Sequence, residues 1–171
     1  DPQLGETEIF QFGFEHIGDL SIHDELQMIR MVSMICNAVG LHDHEIHIAH
    51  PEIFNAISDQ DLDSIQKGDL VSFNEIPKIG KKELAKDYSY LSKLFGELPF
   101  DDMDNVFLNL GLYKDARYYN GVYFDVVSPS FGKILGSGGR YDFVLNSFDL
   151  DSNAFGFAFR LHYLESALRQ Q

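Results

Sequence analysis

The chain has 171 residues, of which 44% are hydrophobic and 23% are charged, a globular composition that argues against disorder. At roughly 150 residues per domain this length favours a single unit, and no apolar run reaches the roughly 18 residues that span a bilayer, so no membrane partner is expected. Thirteen Lys and Arg residues stand against 27 Asp and Glu residues, and the formal net charge of -14 argues against a general nucleic-acid binder.

The single cysteine and the first residues bear on the origin of the chain. Cys36 lies in the apolar stretch 31–39, which predicts a buried small side chain. One cysteine excludes a disulfide within the chain and favours a reducing, cytoplasmic location. The sequence begins with Asp1-Pro2, without an initiator methionine or a signal sequence. We therefore expect a fragment of a longer protein.

Periodicity predicts the elements of the first half of the chain. Alternation with a period of two indicates strands, and apolar residues every three to four positions indicate helices. Ser21, followed by acidic residues, predicts the start of a helix, and Gly40 its end. The predicted elements are a strand over 10–16, a helix over 22–39, a short strand around Ile46 and Ile48, a brief helix over 51–57, an irregular stretch over 59–79, and a helix from about 81 to 95 that stops at Gly96.

The second half of the chain predicts mainly sheet. Its elements are strands over 106–110 and 122–126, a turn at Ser128-Pro129-Ser130 back into a strand over 131–135, a short helix near 141–147, a strand over 155–159, and a last helix carrying Leu161, Leu164 and Leu168. We interpret the strands between 106 and 135 as an antiparallel meander. Helices interspersed with antiparallel strands predict an α+β fold, an antiparallel sheet flanked by helices.

The first predicted strand has a polar face that could bind a ligand. Gln11, Gly13 and Glu15 share this face, so an amide and a carboxylate flank a position where the missing Cβ leaves room. An ammonium group could dock there. The alternative is that Glu15 is an ordinary solvated strand residue.

Gly138-Gly139 permits two interpretations. Paired glycines are typical of a tight turn, in which case Arg140 would pair with one of the many acidic residues. They also allow close approach of the backbone to a ligand beside Tyr141.

Four histidines between 42 and 50 raise the hypothesis of a metal site, because imidazole is a common zinc ligand. The set is His42, His44, His47 and His50. In a strand His47 and His50 point to opposite faces, and no cysteine lies nearby. We therefore expect neither a metal nor a cofactor in this chain.

Four segments carry motifs in a fixed order: Ile9–Gly18, Leu110–Phe124 with its Tyr118-Tyr119 pair, Gly136–Asp142, and Ala154–Ala158. In this order they resemble the second strand of motif 2, the tyrosine-pair strand, the glycine-rich histidine motif and the beginning of motif 3 of class II histidyl-tRNA synthetases. They equally resemble the paralogue of those enzymes, the regulatory subunit of ATP phosphoribosyltransferase. The set covers nearly the whole chain and implies a partial class II aminoacyl-tRNA synthetase-like core over 1–171.

The resemblance implies a histidine-binding site. Gln11 and Glu15 would contact the α-amino end of bound histidine, and Tyr119 and Tyr141 would supply hydroxyls and ring faces around the imidazole. The glycine-rich motif adds Gly138, Gly139 and Arg140 to this set. The alternative for the tyrosines is half-buried packing.

Three positions depart from the synthetase pattern. Tyr163 stands where the motif 3 arginine should be, His162 where the preceding acid is usual, and Lys114 where synthetases carry a histidine-specific arginine. A phenol cannot replace a guanidinium, and a lysine keeps the charge without the forked geometry. In addition, residues 59–104 are too few for a typical synthetase insertion domain, so we expect a shortened helical insertion. Motif 1, the first half of motif 2 and an anticodon-binding domain are not found.

These departures favour a catalytically inactive regulatory subunit of ATP phosphoribosyltransferase, which acts in the first step of histidine biosynthesis. The resemblance implies that a short-form catalytic subunit performs the chemistry as the partner and that histidine is the feedback ligand. It also implies an oligomer in the full-length parent, and the acidic charge balance predicts no nucleic-acid partner. Two alternatives stay open, an active histidyl-tRNA synthetase core and a stand-alone amino-acid-binding paralogue.

Overall fold

The computed structural model describes residues 9–56, 79–80, 85–97, 104–114 and 118–171. Within these ranges seven strands form one sheet in the order β1-β7-β6-β5-β2-β4-β3. The strands are β1 (Gln11–Gly18), β2 (Glu45–Ala49), β3 (Ile79–Gly80), β4 (Val106–Asn109), β5 (Tyr123–Val127), β6 (Ile134–Arg140) and β7 (Asn153–Arg160). The helices are α1 (Ile22–Ala38), a 3-10 helix (Pro51–Ala56), α2 (Ser89–Glu97), α3 (Asp142–Asn146) and α4 (Leu161–Leu168).

The predicted first helix is confirmed as α1. Ser21 is its N-cap: the Ser21 hydroxyl accepts from the Asp24 N–H, and the Asp24 carboxylate accepts from the Ser21 N–H at 2.8 Å. The apolar stripe of α1 packs into the core, and Cys36 is fully buried there, as its sequence context predicts. Local signals sufficed because capping and helical periodicity both act within a few residues.

The predicted meander is wrong in one place. β5, β6 and β7 are consecutive antiparallel neighbours, but β2 lies between β4 and β5. β4 pairs with β2 in parallel, with Ile46 opposite Val106. The connection over 110–122 is long enough for the chain to pass β2 before β5 begins, a choice that alternation within a strand cannot reveal. The α+β class, with helices flanking one sheet, is confirmed, and this sheet is antiparallel except for the parallel pair of β2 and β4.

The glycine-rich segment is a strand and not a turn. The returning strand predicted over 131–135 begins at Ile134 and runs on to Arg140. A Cβ at Gly136 would lie 2.7 Å from the Ala158 carbonyl oxygen, and one at Gly138 would lie 2.5 Å from the Gly156 carbonyl oxygen. These glycines therefore serve close packing of β6 against β7, and the tight-turn interpretation is wrong.

The second predicted helix differs at its ends. Residues 81–84 lie outside the described residues, α2 begins at Ser89, and Gly96 falls inside the helix, which continues to Glu97. The Glu52 carboxylate accepts from the N–H groups of Tyr90 (3.2 Å) and Leu91 (2.9 Å), which caps the first turn of α2 from outside the helix. This tertiary cap and the burial of Leu91 outweigh the helix-stopping tendency of one exposed glycine.

Most of the irregular stretch and the end of the predicted 51–57 helix also lie outside the described residues. The shortened insertion over 59–104 is described only at residues 79–80, 85–97 and 104, so its extent stays a prediction. None of the helices in the described part of the chain combines the length and the apolar character needed to cross a bilayer.

The sheet register assigns side chains to two faces. Even-numbered residues of β5 and β2, such as Phe124 and Ile48, are fully buried in the core that also contains residues of α1. The opposite face carries Glu15 of β1 and Tyr123 of β5. At the edge of the described sheet, β1 exposes the apolar side chain of Phe12, which stacks on Phe159.

Candidate functional site

A row of four paired residues crosses the sheet on the face that carries Glu15. Glu15 of β1 lies opposite Gly156 of β7, Gly156 lies opposite Gly139 of β6, and Gly139 lies opposite Tyr123 of β5. The two central positions carry no side chain, so the row has a backbone floor between an acidic residue and an aromatic one. Glycine in the middle of a strand costs stability, which indicates that the space above it is used.

The carboxylate of Glu15 lies directly over this floor. A Cβ on Gly156 would be 1.6 Å from Glu15 Oε2, so only glycine leaves room for the carboxylate in this position. The Tyr141 hydroxyl donates a hydrogen bond to the same oxygen. Burial raises the pKa of Tyr141, and the bond to Glu15 raises it further. Tyr141 is therefore a protonated donor at physiological pH.

Aromatic rings surround the floor on the β5 side. Tyr118 stacks on Tyr141 with ring centroids 5.7 Å apart and meets Tyr119 edge-on at 4.8 Å, and Tyr119 lies 5.6 Å from Tyr123. Burial raises the pKa of the Tyr119 phenol. A Cβ on Gly139 would lie 2.7 Å from the Tyr119 ring, so this glycine allows the ring to approach the strand.

A second row on the same face contains charged and polar groups. Asp125 of β5 is buried and pairs with Ser137 of β6, whose hydroxyl donates to it at 2.6 Å. Lys114 Nζ lies 2.8 Å from the same Asp125 oxygen. The row continues through Ala158 to Gly13, two small residues. Lys114 stands where the synthetase pattern predicts an arginine. Its ammonium group therefore places a positive charge on this face of the sheet, where it is paired with Asp125.

The structure brings together four of the seven predicted histidine-binding residues: Glu15, Tyr119, Gly139 and Tyr141. Gln11 shares the Glu15 face and lies two pleats away, opposite Arg160. Gly138 and Arg140 are on the other face, where a Cβ on Gly138 would meet the Phe124 and Phe157 side chains. Sequence reasoning missed Tyr118, Asp125 and Ser137 as site residues. The doubled tyrosine was the available signal for Tyr118, whereas Asp125 depended on strand pairing.

Arg140 is engaged on the face opposite the site. Its Nη1 lies 3.0 Å from the Glu25 carboxylate of α1, and its Nε lies 2.8 Å from Asp142 at the start of α3. Glu25 is fully buried and also accepts a hydrogen bond from the Tyr90 hydroxyl of α2. Burial raises the pKa of Glu25, although both partners act in the opposite direction.

His44, His47 and His50 of the 42–50 segment each have separate partners. His44 contacts the Leu41 carbonyl and the Ser33 hydroxyl, His47 contacts Glu45, and His50 stacks on Tyr90. Among the described residues, no three His, Cys, Asp or Glu side chains are grouped to hold a metal ion.

Tyr163, at the position of the expected motif 3 arginine, lies in α4 and is 7% exposed. Lys133 Nζ and the Arg160 guanidinium lie 4.9 and 5.6 Å from the centre of its ring. Both distances are within the range of cation–π attraction. The phenol is therefore a packed ring that cations approach and carries no positive charge of its own.

The arrangement suits a small amino compound. A carboxylate, a phenolic donor and several ring faces lie over a floor of glycines, and the carboxylate and the ring faces would attract an ammonium or imidazolium group. Tyr141 supplies Glu15 with a proton donor but no charge, whereas an ammonium group would supply both. The site thus combines a carboxylate that could bind a cation with aromatic walls.

Comparison with known proteins gives relatives over most of the chain. A family model described as histidyl-tRNA synthetase matches residues 1–75 and 70–164. The chain is 25% identical to the ATP phosphoribosyltransferase regulatory subunit of Carboxydothermus hydrogenoformans over 94% of its length and 62% of the relative. It is 26% identical to the protein of the same name from Bacillus subtilis, over 96% of the chain and 53% of the relative. The chain therefore spans about half to three fifths of these curated relatives.

A solved structure has the same fold. It is described as an ATP phosphoribosyltransferase regulatory subunit/histidyl-tRNA synthetase from Bacillus halodurans C, and it superposes with a TM-score of 0.76 at 24% identity. The match covers 94% of this chain and 53% of that one. The expected class II synthetase-like core is therefore confirmed as the fold.

Proposed function

The chain belongs to the histidyl-tRNA synthetase family, and from this premise we propose that it is part of a non-catalytic regulatory subunit of ATP phosphoribosyltransferase that binds histidine. The name shared by the curated relatives supports this role in histidine biosynthesis. Its partner is a short-form catalytic subunit, which condenses ATP with phosphoribosyl pyrophosphate. The full-length protein is an oligomer.

The geometry around Glu15 supports histidine as the ligand. The α-ammonium group would lie against the Glu15 carboxylate, which already accepts from Tyr141. The imidazole would lie among the rings of Tyr118, Tyr119 and Tyr141. Gly156 and Gly139 leave room for the Glu15 carboxylate and the Tyr119 ring, the two side chains that would contact the ligand. Gln11 would contact the amino end from further along β1.

The observation that carries the non-catalytic role is the phenol at position 163. Amino-acid activation by ATP develops negative charge on phosphates, which class II synthetases neutralise with arginines. Tyr163 stands at the motif 3 position and is buried in α4. Because its side chain is a phenol, it cannot supply the charge or the donors of a guanidinium. Lys114 is engaged with Asp125 and lacks the forked geometry as well.

Histidine would regulate the complex through a difference in affinity. A ligand shifts an equilibrium only as far as it binds one state more tightly than the other. Histidine formed by the pathway would bind the site and stabilise an inhibited arrangement of regulatory and catalytic subunits.

The test is reconstitution. The full-length protein that contains this chain is mixed with the short-form catalytic subunit of the same organism, and phosphoribosyl-ATP formation is followed with and without histidine. We expect activity only in the mixture and suppression by histidine. Glu15→Gln in the regulatory protein should relieve the suppression, while Glu165→Gln, on an exposed side chain of α4, should leave it unchanged.

Two other outcomes would overturn the proposal. If the mixture is inactive and the full-length protein alone exchanges pyrophosphate into ATP with histidine, the protein is a synthetase in spite of Tyr163. If neither activity occurs but histidine binds in calorimetry, a stand-alone amino-acid-binding paralogue is the better account.

A further inference from the structure

The Arg140 side chain connects three elements behind the candidate site. Its guanidinium bridges Glu25 of α1 and Asp142 at the start of α3. Asp142 also accepts from the Asn120 amide at 3.0 Å, and the Asp142 N–H donates to the Asn120 side chain at 2.8 Å. We call Glu25, Arg140, Asp142 and Asn120 the Arg140 brace. Arg140 lies on the face of the sheet opposite Glu15.

The brace fixes the immediate neighbours of two site tyrosines. Tyr141 lies between Arg140 and Asp142 in the chain, and Tyr119 directly precedes Asn120. The backbone is held at the same place, because the Asn120 N–H donates to the Arg140 carbonyl at 3.0 Å and the Arg140 N–H donates to the Val122 carbonyl at 2.8 Å. The backbone next to both tyrosines is therefore held by hydrogen bonds.

The residue at 121 makes room for the arginine stem. A Cβ on Gly121 would lie 2.8 Å from Arg140 Cδ, so the stem passes directly over the glycine backbone. Arginine suits this position because its planar group can bond two carboxylates in fixed directions at once. A lysine would keep the positive charge, but its ammonium group could not hold the Glu25 and Asp142 carboxylates in the same two fixed directions.

We infer that Arg140 is a positioning residue, which through the Arg140 brace holds the Tyr141 hydroxyl against Glu15. The inference rests on the proposed function only in naming histidine as the ligand. It gives Arg140 a role other than direct contact with histidine. Tyr90 extends the brace to α2 through its hydrogen bond to Glu25.

The first experiment follows Tyr141 without any ligand. The full-length protein is labelled with meta-fluorotyrosine, and the Tyr141 signal in the fluorine NMR spectrum is assigned by its absence from Tyr141→Phe. We expect Arg140→Lys to move the Tyr141 signal and to leave the signal of Tyr163 in α4, assigned in the same way, in place. Arg169→Lys is the matched control, because Arg169 is largely exposed and pairs with Glu165 one helical turn away.

A second variant guards against a folding defect. Glu25→Gln keeps the shape of the side chain and removes the charge that Arg140 contacts, so it should move the Tyr141 signal in the same direction by a smaller amount. If Arg140→Lys does not fold, the Tyr141 signal of Glu25→Gln decides whether the inference holds. A Tyr141 signal that stays at its wild-type position in every folded brace variant would overturn the inference.

Histidine titration then tests the functional consequence. Arg140→Lys should weaken binding about ten-fold, the effect of one lost charged hydrogen bond. The same substitution in a Tyr141→Phe background should have little further effect, because both changes act on one interaction. Equal losses in both backgrounds would contradict action through Tyr141. If the wild-type protein does not bind histidine, the proposed function fails, while the fluorine spectrum still decides the role of Arg140.

Discussion

The Tyr141 hydroxyl donates a hydrogen bond to the Glu15 carboxylate across 126 positions of sequence. Glu15 lies on β1 and Tyr141 directly follows β6, so β7 with its Gly156 separates their strands. The bond crosses over that glycine. It joins the two halves of the candidate site and leads to the following predictions.

Glu15→Gln should weaken histidine binding by roughly 1 to 3 kcal/mol, the scale for losing a hydrogen bond to a charged group. The amide keeps the size of the side chain but removes the negative charge that attracts the ammonium group. Isothermal titration calorimetry on the full-length protein checks this, with Glu165→Gln as the exposed control. An unchanged affinity would remove Glu15 from the site.

Gly156→Ala should reduce histidine binding while preserving the fold. The new methyl group would occupy the space of the Glu15 carboxylate, which is exposed and can swing away from Tyr141. Gly96→Ala is the control: its Cβ would meet nothing within 4 Å in α2, and it should stabilise the chain by up to about 1 kcal/mol. Calorimetry and thermal unfolding measure both effects. Wild-type affinity in Gly156→Ala would show that the position of Glu15 over the glycine is unimportant.

Asp142→Asn should lower the free energy of unfolding at neutral pH. The difference in this free energy between the variant and the wild type should become smaller in acid. Burial acts to raise the pKa of Asp142, but hydrogen bonds from the Ala154 N–H and Asn120 and the pairing with Arg140 lower it overall. The ionised form is thus favoured by the folded state, so its stabilisation is present above the unfolded pKa of about 3.9 and is lost as pH falls through the folded pKa.

The expected cost of this substitution at neutral pH is roughly 1.5 to 3 kcal/mol. Urea unfolding between neutral pH and about pH 3 measures it, and Asp151→Asn, on an exposed residue, should change little. A stability difference that is independent of pH would show that the charge of Asp142 is not the cause.

Cys36 should resist alkylation in the folded protein. Burial raises the pKa of its thiol to about 12, and the side chain is fully inaccessible in the core. Because the thiolate is the reactive species, iodoacetamide should label Cys36 only when the chain opens. Mass spectrometry of native and urea-unfolded samples measures this. Labelling of the native protein at the rate of a free thiol would contradict the burial of Cys36.

The helix and strand types followed from local patterns, but one strand's place in the sheet did not. The stripe and capping pair of α1 lie within one segment, so its start could be predicted to the residue. The position of β4 beside β2 depends on where a long connection returns, and alternation along β4 is the same for any neighbour. The glycines of β6 left two interpretations open for a related reason, because glycine serves turns and close strand packing equally well.

The site was predictable in part. Glu15, Tyr119 and Tyr141 followed from the order of motifs, and in the fold they lie on one face of the sheet. Asp125 and Ser137 could not be found, because their meeting depends on the register between β5 and β6. Arg140 belongs to the same motif as Tyr141. A step of one residue along a strand places the next side chain on the opposite face of the sheet, and the face decides which groups Arg140 contacts.

By itself the sequence determined the elements, the family and the chemical types at the site, since these depend on residue identity and short-range order. Only the tertiary structure decided that the glycines form a floor, that Glu15 meets Tyr141 over it, and that Arg140 lies behind it. The physical reason is that strand pairing joins residues far apart in the chain, and the face each side chain occupies follows from the register of the whole sheet.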